Sequence, residues 1–451
     1  MAGHLVALSP PTEPGQLFRF VGSGLRRISI ASNLEPTSRR WPSYTSQQMR
    51  SVLLLLSLVL AATHATSCAY AQWDIEESHT TASLRGIHNV GGGVAWASGT
   101  NGTVLRTEDG GYLWQTCAIP PGAEKLDFRG VQAFDENTAI VMSSGPGDQS
   151  RLYKTTDGCQ TWKLIFTNPD APNDGFFDTL IFIDRNHGLV FGDPAHGSGR
   201  NPVEGGYFAF RIRVTYDGGK TWIPVSDPEI NSPGKNLMPI GTEGLFAASN
   251  SSAAISDGWL WIGTGGGRVL RRRLYTNPSD KAHSFQFFYC AGAIDPTSHA
   301  CGIPWVDWKN TKTSLSGAGQ AAGIFSLVFR TPKVGVAVGG DYQKPEQSTA
   351  NAAFSFDGGD TWQAAIAPPN GYRSSVAYDA TQKLWVTVGP NGTDISTDDG
   401  KNWRPLTPAP TDPPDADKNW NALSLPFVVG PHGRIGRLRT IDQKSLATKK
   451  P

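Results

Sequence analysis

This 451-residue chain has almost no excess of either charge: 40 Lys and Arg stand against 39 Asp and Glu. That balance removes the basic bias expected of a nucleic-acid binder, and no acidic run points to a solvating tail. The apolar run Val52 to Leu60, broken only by Ser57, is too short to cross a bilayer comfortably as a helix. Cysteine is scarce, five in all, and no C-x-x-C occurs, which leaves thioredoxin-like and zinc-ribbon readings without support. The chain also lacks G-x-S-x-G, H-E-x-x-H and a P-loop. Its nine histidines are scattered without metal-ligand spacing, so no metal site is expected.

What is plentiful points elsewhere. There are 51 Gly, 32 Pro and 14 Trp, a composition suited to many short strands joined by tight turns. One pattern recurs, Ser/Thr-x-Asp-x-Gly-x-Thr-Trp. Its copies are Thr107 to Trp114, Thr155 to Trp162 (with Cys159 at the second Gly position), Thr215 to Trp222, Ser355 to Trp362 and Ser396 to Trp403. The pattern is a turn. The carboxylates of Asp109, Asp157, Asp217, Asp357 and Asp398 accept hydrogen bonds from the backbone amides that follow. Glycine supplies the positive φ. Trp114, Trp162, Trp222, Trp362 and Trp403 begin the next strand and pack into the core. These aspartates are read as structural, because turn chemistry accounts for Asp-Gly without catalysis.

The spacing sets the architecture. Successive motif aspartates lie 48 (157−109), 60 (217−157), 140 (357−217) and 41 (398−357) residues apart. The long gap hides a degenerate unit, since Trp259-Leu260-Trp261-Ile262-Gly263-Thr264 echoes Ala95 to Thr100 and Val269-Leu270-Arg271 echoes Val104-Leu105-Arg106. A period near forty residues with four short strands per unit predicts an all-β, seven-bladed propeller over 72–440. Innermost strands are expected to open at Leu84, Phe128, Phe177, Phe246, Phe325 and Tyr372, with a seventh near Trp420. The last unit stops before any Asp-turn, and Trp73 to Ser78 is expected to supply its outer strand, which removes an open sheet edge.

The N-terminus holds a second start. Met49-Arg50, the short apolar run and Ala69-Tyr70-Ala71 before Gln72 describe a cleavable secretory signal over 49–71. Residues 1–48 are then a disordered gene-model artefact, and the chain is exported to the periplasm or beyond. A lipoprotein reading through Cys68 ranks second, because Ala65-Thr66-Ser67 matches a lipobox poorly. Cleavage leaves Cys117, Cys159, Cys290 and Cys301, an even number that permits two disulfides. Pairing 290–301 with 117–159 is favoured, other pairings remaining open. The basic segment 441–451 is expected to be disordered.

The Asp-turns resemble the bacterial-neuraminidase (Asp-box) repeat superfamily. More closely, Thr103-Val104-Leu105-Arg106-Thr107, Gly335 to Tyr342 and Val428 to Ile435 resemble the propellers related to the photosystem II stability and assembly factor. The resemblance implies a seven-bladed propeller with no cofactor and no known catalysis, and an arginine-rich patch on one face, carried over only to Arg85, Arg129 and Arg373.

Propeller topology places the start of each innermost strand and the loops between second and third strands on one face. That face is expected to carry Arg85, Arg129, Asp178 and Arg373 around the axis, with Asp341 and Tyr342 in a long loop over 340–350 and a second long loop over 192–206. Three arginines near one axis form a cationic mouth for a carboxylate-bearing protein segment. The plainer reading is that they pair with Asp127 or Asp178 and close the channel. The expected partner is another exported or membrane protein segment, and the propeller itself is expected to be monomeric.

Two enzyme classes compete. A sialidase-type glycosidase needs an arginine triad, a Tyr–Glu nucleophile pair and an Asp acid; Tyr342, Tyr372 and Glu243 are the available candidates, though Arg85-Gly86-Ile87 departs from the usual Arg-Ile-Pro. Gly317-Ala318-Gly319-Gln320-Ala321-Ala322 formally matches a dinucleotide fingerprint, but a strand rather than a helix follows it.

Overall fold

The computed structural model describes residues 73–170, 175–196, 208–226, 239–276, 285–286, 301–302, 308–315 and 320–441. The expected upstream extension 1–48, the signal segment 49–71, Cys290 and all of the basic tail except Ile441 lie outside these residues.

Seven antiparallel sheets form seven blades. From first strand to last, blade 1 is Leu84–Gly91, Val94–Gly99, Val104–Thr107 and Gln115–Thr116; blade 2 is Phe128–Ala133, Ala139–Ser143, Arg151–Thr155 and Lys163–Thr167. Blade 3 is Phe177–Phe182, Gly188–His196, Phe208–Thr215 and Ile223–Ser226, extended by the short strand Cys301–Gly302, which runs parallel to Ile223–Ser226. Blade 4 is Ala253–Ser256, Trp259–Gly263, Arg268–Arg273 and Lys309–Lys312, the degenerate unit of the long gap. Blade 5 is Ala322–Phe329, Gly335–Asp341, Ala352–Ser355 and Gln363–Ala364; blade 6 is Ser375–Asp379, Leu384–Gly389, Gly392–Ser396 and Arg404–Pro405. Blade 7 is Ala422–Ser424, Phe427–Val429 and Ile435–Leu438, with Trp73–Glu76 as its outer strand. First strands of adjacent blades touch in turn around the ring, which places them innermost.

The closing strand is held by more than its ladder. Trp73 pairs with Leu438 and Glu76 with Ile435. The Trp73 indole donates to Thr393 Oγ1 at 3.0 Å, and Arg437 Nε meets Glu76 Oε1 at 2.9 Å.

The five repeated turns share one hydrogen-bond scheme. In blade 3, Thr215 Oγ1 donates to Asp217 Oδ1 at 2.9 Å, Gly219 N donates to Thr215 Oγ1 at 2.8 Å, and Thr221 N donates to Asp217 Oδ1 at 2.9 Å. The same three bonds recur about Asp109, Asp157, Asp357 and Asp398. Each aspartate is thus engaged with its own turn, and the carboxylates sit below their ordinary pKa. At Asp157, bonds from the Thr161 hydroxyl and amide lower the value to about 2. At Asp217 burial acts the other way, but the bonds from Thr221, Thr215 and Lys220 together outweigh it.

The motif tryptophans fall one residue before the outer strands rather than within them. Each fills the seam with the preceding blade. Trp114 lies edge-on to Phe427 of blade 7 at 5.5 Å, and Trp362 packs against the cluster holding Trp261 and Val269 of blade 4 while lying edge-on to Phe329 of its own blade at 5.8 Å. Trp162 packs with Trp96 of blade 1, Trp222 against Phe166 of blade 2, and Trp403 with Val336 and Phe354 of blade 5. The blade seams, not a central core, therefore carry most apolar burial. Cys117, just after the outer strand of blade 1, forms a disulfide with Cys159 in the turn of blade 2. Cys159 holds the left-handed conformation (φ 64°) that glycine holds at Gly219 and Gly359.

Two expected features differ. Residues 192–196 continue the second strand of blade 3 instead of starting a loop, because Pro194, Ala195 and His196 pair with Phe210, Ala209 and Phe208. Phe246 to Ser249 is not a strand: the first strand of blade 4 starts at Ala253, and Asn250 has a positive φ of 57° that breaks an extended ladder.

Candidate functional site

The inner strands begin with a repeated irregularity. The ladder skips one residue between Leu84 and Gly86, Phe128 and Gly130, Phe177 and Thr179, and Ile324 and Ser326. The skipped residues are Arg85, Arg129, Asp178 and Phe325. Such bulges take a side chain out of the sheet's alternation. Two further blades are aligned by their anchoring bonds. Thr100 N donates to Ser83 O at 3.0 Å, Asp193 N to Phe176 O at 2.9 Å and Gly265 N to Gly244 O at 2.8 Å. In blade 4 the residue equivalent to Arg85 is therefore Phe246. In blade 6 a Cβ on Gly389 would lie 2.3 Å from Tyr372 O, as one on Gly99 would lie 2.4 Å from Ser83 O. This matches Arg373 to Leu84 and makes Ser374 the counterpart of Arg85.

That one-residue shift corrects the expected arginine triad. Arg373 occupies a core position and its side chain is 1% exposed. It closes on Asp394 through Nε (2.9 Å to Oδ2) and Nη2, and Nη1 donates to Tyr372 O at 2.9 Å. Its guanidinium is committed to the interior of blade 6 and is not free to hold an outside carboxylate.

Arg85 and Arg129 do come together. Their Nε atoms lie 3.4 and 2.8 Å from the same oxygen, Asp127 Oδ2, and their side chains remain 32% and 28% exposed. Arg129 stands 5.8 Å from the ring of Phe176. Burial weakens the hold of Arg85 on its proton, although Asp127 opposes the effect. Asp178 is 1% exposed and Oδ2 has no hydrogen-bond partner among the described residues. Burial, then the neighbouring Asp193, push its pKa well up, with Arg129 pulling the other way.

The opposite side of the mouth is aromatic. Phe246 stacks on Phe325 with centroids 3.7 Å apart, and Tyr372 and Tyr342 approach the same ring edge-on at 4.7 and 6.2 Å. Tyr372 is buried, which raises its hydroxyl pKa above the ordinary range, while Tyr342 is 50% exposed. Asp341 caps its loop, accepting from Gln343 N at 2.9 Å and lying 3.6 Å from Lys344 Nζ.

Between the two sides, residues 247–252 cross the axis. Ala247 O receives Arg129 Nη1 at 3.5 Å, Asn250 exchanges bonds of 2.7 and 3.0 Å with Leu180, Ser251 Oγ donates to Ser326 Oγ at 2.7 Å, and Ser249 Oγ to Ser374 O at 2.9 Å. This strap ties blades 2, 3, 5 and 6 together.

Glu243 is held by an arginine. Arg268 Nε lies 3.0 and 3.1 Å from its two oxygens, and Ile240 N donates to it at 3.0 Å. Of the residues nominated for sialidase chemistry, Glu243 and Arg373 are thus engaged in buried ion pairs, while Tyr342 remains exposed. No cluster of metal-ligating side chains occurs among the described residues. Phe246, Phe325 and Asp193 were not singled out from sequence as site residues.

No protein-family model and no curated protein sequence matches this chain. Among solved structures it is similar to YCF48 bound to D1 peptide, with 17% identity and a TM-score of 0.51, covering 82% of this chain and 98% of that one. It is also similar to YCF48 from Cyanidioschyzon merolae (15% identity, TM-score 0.38, 82% and 99% covered) and to the WD40 β-propeller domain of Doa1 (9% identity, TM-score 0.48, 84% and 99% covered). At these identities the likeness is one of architecture: this chain is a seven-bladed β-propeller similar in fold to YCF48.

Proposed function

We propose that this chain is an exported, non-enzymatic propeller that binds a segment of another exported or membrane protein, as an assembly-factor-like module, at the arginine-bearing side of its axial mouth. One observation carries the reading. Arg85 and Arg129, on adjacent bulges, share the single carboxylate of Asp127 and stay partly exposed. Two cations against one anion leave N–H donors for an incoming carboxylate, which a guanidinium takes in a fork. Phe176 beside Arg129 adds apolar surface for a neighbouring side chain. YCF48 with its D1 peptide supports a peptide as the class of ligand. Export is supported by the signal-like segment after Met49 and by the Cys117–Cys159 disulfide, a bond that persists in oxidising compartments.

The test is capture of partners from an envelope fraction with the chain started at Gln72, beside an Arg85→Ala/Arg129→Ala variant checked for folding by circular dichroism. Arg373 is left intact because its loss would damage blade 6. A partner lost only in the folded variant supports the reading. Turnover of fluorogenic glycosides that disappears in the variant, with no partner captured, replaces it with a glycosidase.

A further inference from the structure

Beside the mouth, where blades 3, 4 and 5 meet, lies a cleft of about 470 Å³ lined among others by Asp193, Gly244, Phe246, Gly266, Gln320 and Tyr342. Its chemistry is opposite to that of the arginine side. Asp193 is half-buried, its Oδ1 accepts only from Leu245 N at 2.8 Å, and no cation pairs with it among the described residues. The other charged groups nearby are already matched. Glu243 is closed by Arg268, and Asp341 faces Lys344. Asp178, the neighbouring acid, is fully buried, and Glu243, which also lines the cleft, is paired with Arg268; Asp193 is the lining carboxylate that pairs with no cation among the described residues.

Two aromatic side chains share that space. Phe246 is fixed by its stack on Phe325, and exposed Tyr342 leans on the same ring. The backbone keeps the carboxylate accessible. A Cβ on Gly244 would lie 2.6 Å from Asp193 Oδ1, and one on Gly266 would lie 2.5 Å from Glu243 Oε1, so side chains there would crowd the acids. A carboxylate that pairs with no cation among the described residues, walled by aromatic rings, is the arrangement that holds an organic cation by charge and by the ring faces together.

We infer that this cleft is a subsite for an organic cation, an alkylammonium or guanidinium group, with Asp193 as counter-ion and Phe246 and Tyr342 as the aromatic walls. It lies across the mouth from the arginine pair and does not depend on the peptide reading: the cation can be a Lys or Arg side chain of a bound segment or a free amine.

The probes separate these sources. A doubly capped Gly-Lys-Gly peptide, its norleucine counterpart and spermidine are titrated into the chain started at Gln72 by calorimetry. Lysine peptide or spermidine is expected to bind, and the norleucine peptide at least about tenfold more weakly. Tyr342→Ala removes an exposed ring and is expected to weaken binding about fivefold, within the usual range of one cation–π contact. Asp193→Asn keeps the oxygen that receives Leu245 N and is expected to weaken it further. Binding of the lysine peptide alone assigns the site to a protein side chain, and binding of spermidine alone to a free amine. Equal affinity for the lysine and norleucine peptides, or cation binding unchanged in the well-folded Tyr342→Ala and Asp193→Asn variants, overturns the inference. Failure to capture an arginine-dependent partner in the earlier experiment leaves this result untouched, so the two readings fail separately.

Discussion

The Cys117–Cys159 disulfide carries two opposed contributions that can be measured apart. It closes a loop of 42 residues between blade 1 and the turn of blade 2. Chain-entropy arithmetic for such a loop gives about 4 kcal/mol of stabilisation at 25 °C. Against this, Cys159 sits at φ 64°, where the equivalent residues Gly111, Gly219, Gly359 and Gly400 also have positive φ. An L side chain there costs about 1–2 kcal/mol relative to glycine. Replacing the pair as Cys117→Ala/Cys159→Gly should therefore cost about 2–3 kcal/mol, the loss of the crosslink less the relief of strain. Cys117→Ala/Cys159→Ala keeps the strain and should cost the full 4, again approximately. For a domain of roughly 370 residues the unfolding entropy is about 0.8 kcal/mol/K, so the two variants should melt about 3–4 and 5 °C below the parent. The assay is calorimetry of all three proteins at one pH, with mapping of the crosslinked peptide in the parent. If the Ala and Gly variants melt together, the backbone argument is wrong. If both match the parent, the bond contributes no stability between these blades.

Further outcomes follow from the same contacts. Arg373→Ala leaves Asp394 buried and unpaired, and should cost about 3–5 kcal/mol, whereas Arg373→Leu/Asp394→Ala, which restores the side-chain type of the equivalent Leu84, should recover most of it in thermal melts. The turn aspartates have depressed pKa values, so their stabilisation is complete above the unfolded value near 4 and is lost as pH falls toward about 2 at Asp157; Asp157→Asn should flatten that part of a melting-temperature profile. Asp178 is shifted the other way, so its ionisation opposes folding and stability is regained as pH falls through its raised folded-state pKa; Asp178→Asn should raise the melting temperature at pH 7 and remove that gain. Asn250→Ala removes both bonds to Leu180 and the side chain suited to positive φ, and should loosen the axial strap, read as faster amide exchange at Leu180 and Ser251.

The fold was legible because the turn carries its own chemistry. Asp, Gly and Trp at fixed offsets each do one local job, and no long-range contact is needed to recognise them. The blade count followed from spacing even across the gap, since Trp261 and Val269 keep the apolar alternation of a blade without its Asp-turn. The site was less legible for a reason of register. Side chains alternate across a strand, so an error of one residue exchanges a face position for a core position. Arg373 was such an error: beside Tyr372 it looks like Arg85 beside Ser83-Leu84, but the contact of Gly389 with Tyr372 O puts it one step deeper. Local composition does not encode that offset.

The strap at 247–252 was hidden for a different reason, and it bears on where a ligand can act. Ala247 to Ser252 contains residues that suit a strand edge or a loop equally, and only their partners in four other blades decide between them. Once in place, the strap bonds to blades 2, 3, 5 and 6 beside the mouth where the proposed function seats a bound segment. Across that mouth Arg85 and Arg129 stand on blades 1 and 2, and the Asp193 cleft stands at blades 3 to 5. A segment lying from one to the other meets cations first and a carboxylate after an aromatic step. On the proposed function and the cation subsite taken together, the expected ligand carries an acidic group and a basic group with an apolar residue between them rather than uniform charge, whose repelled end would give back what the attracted end contributes.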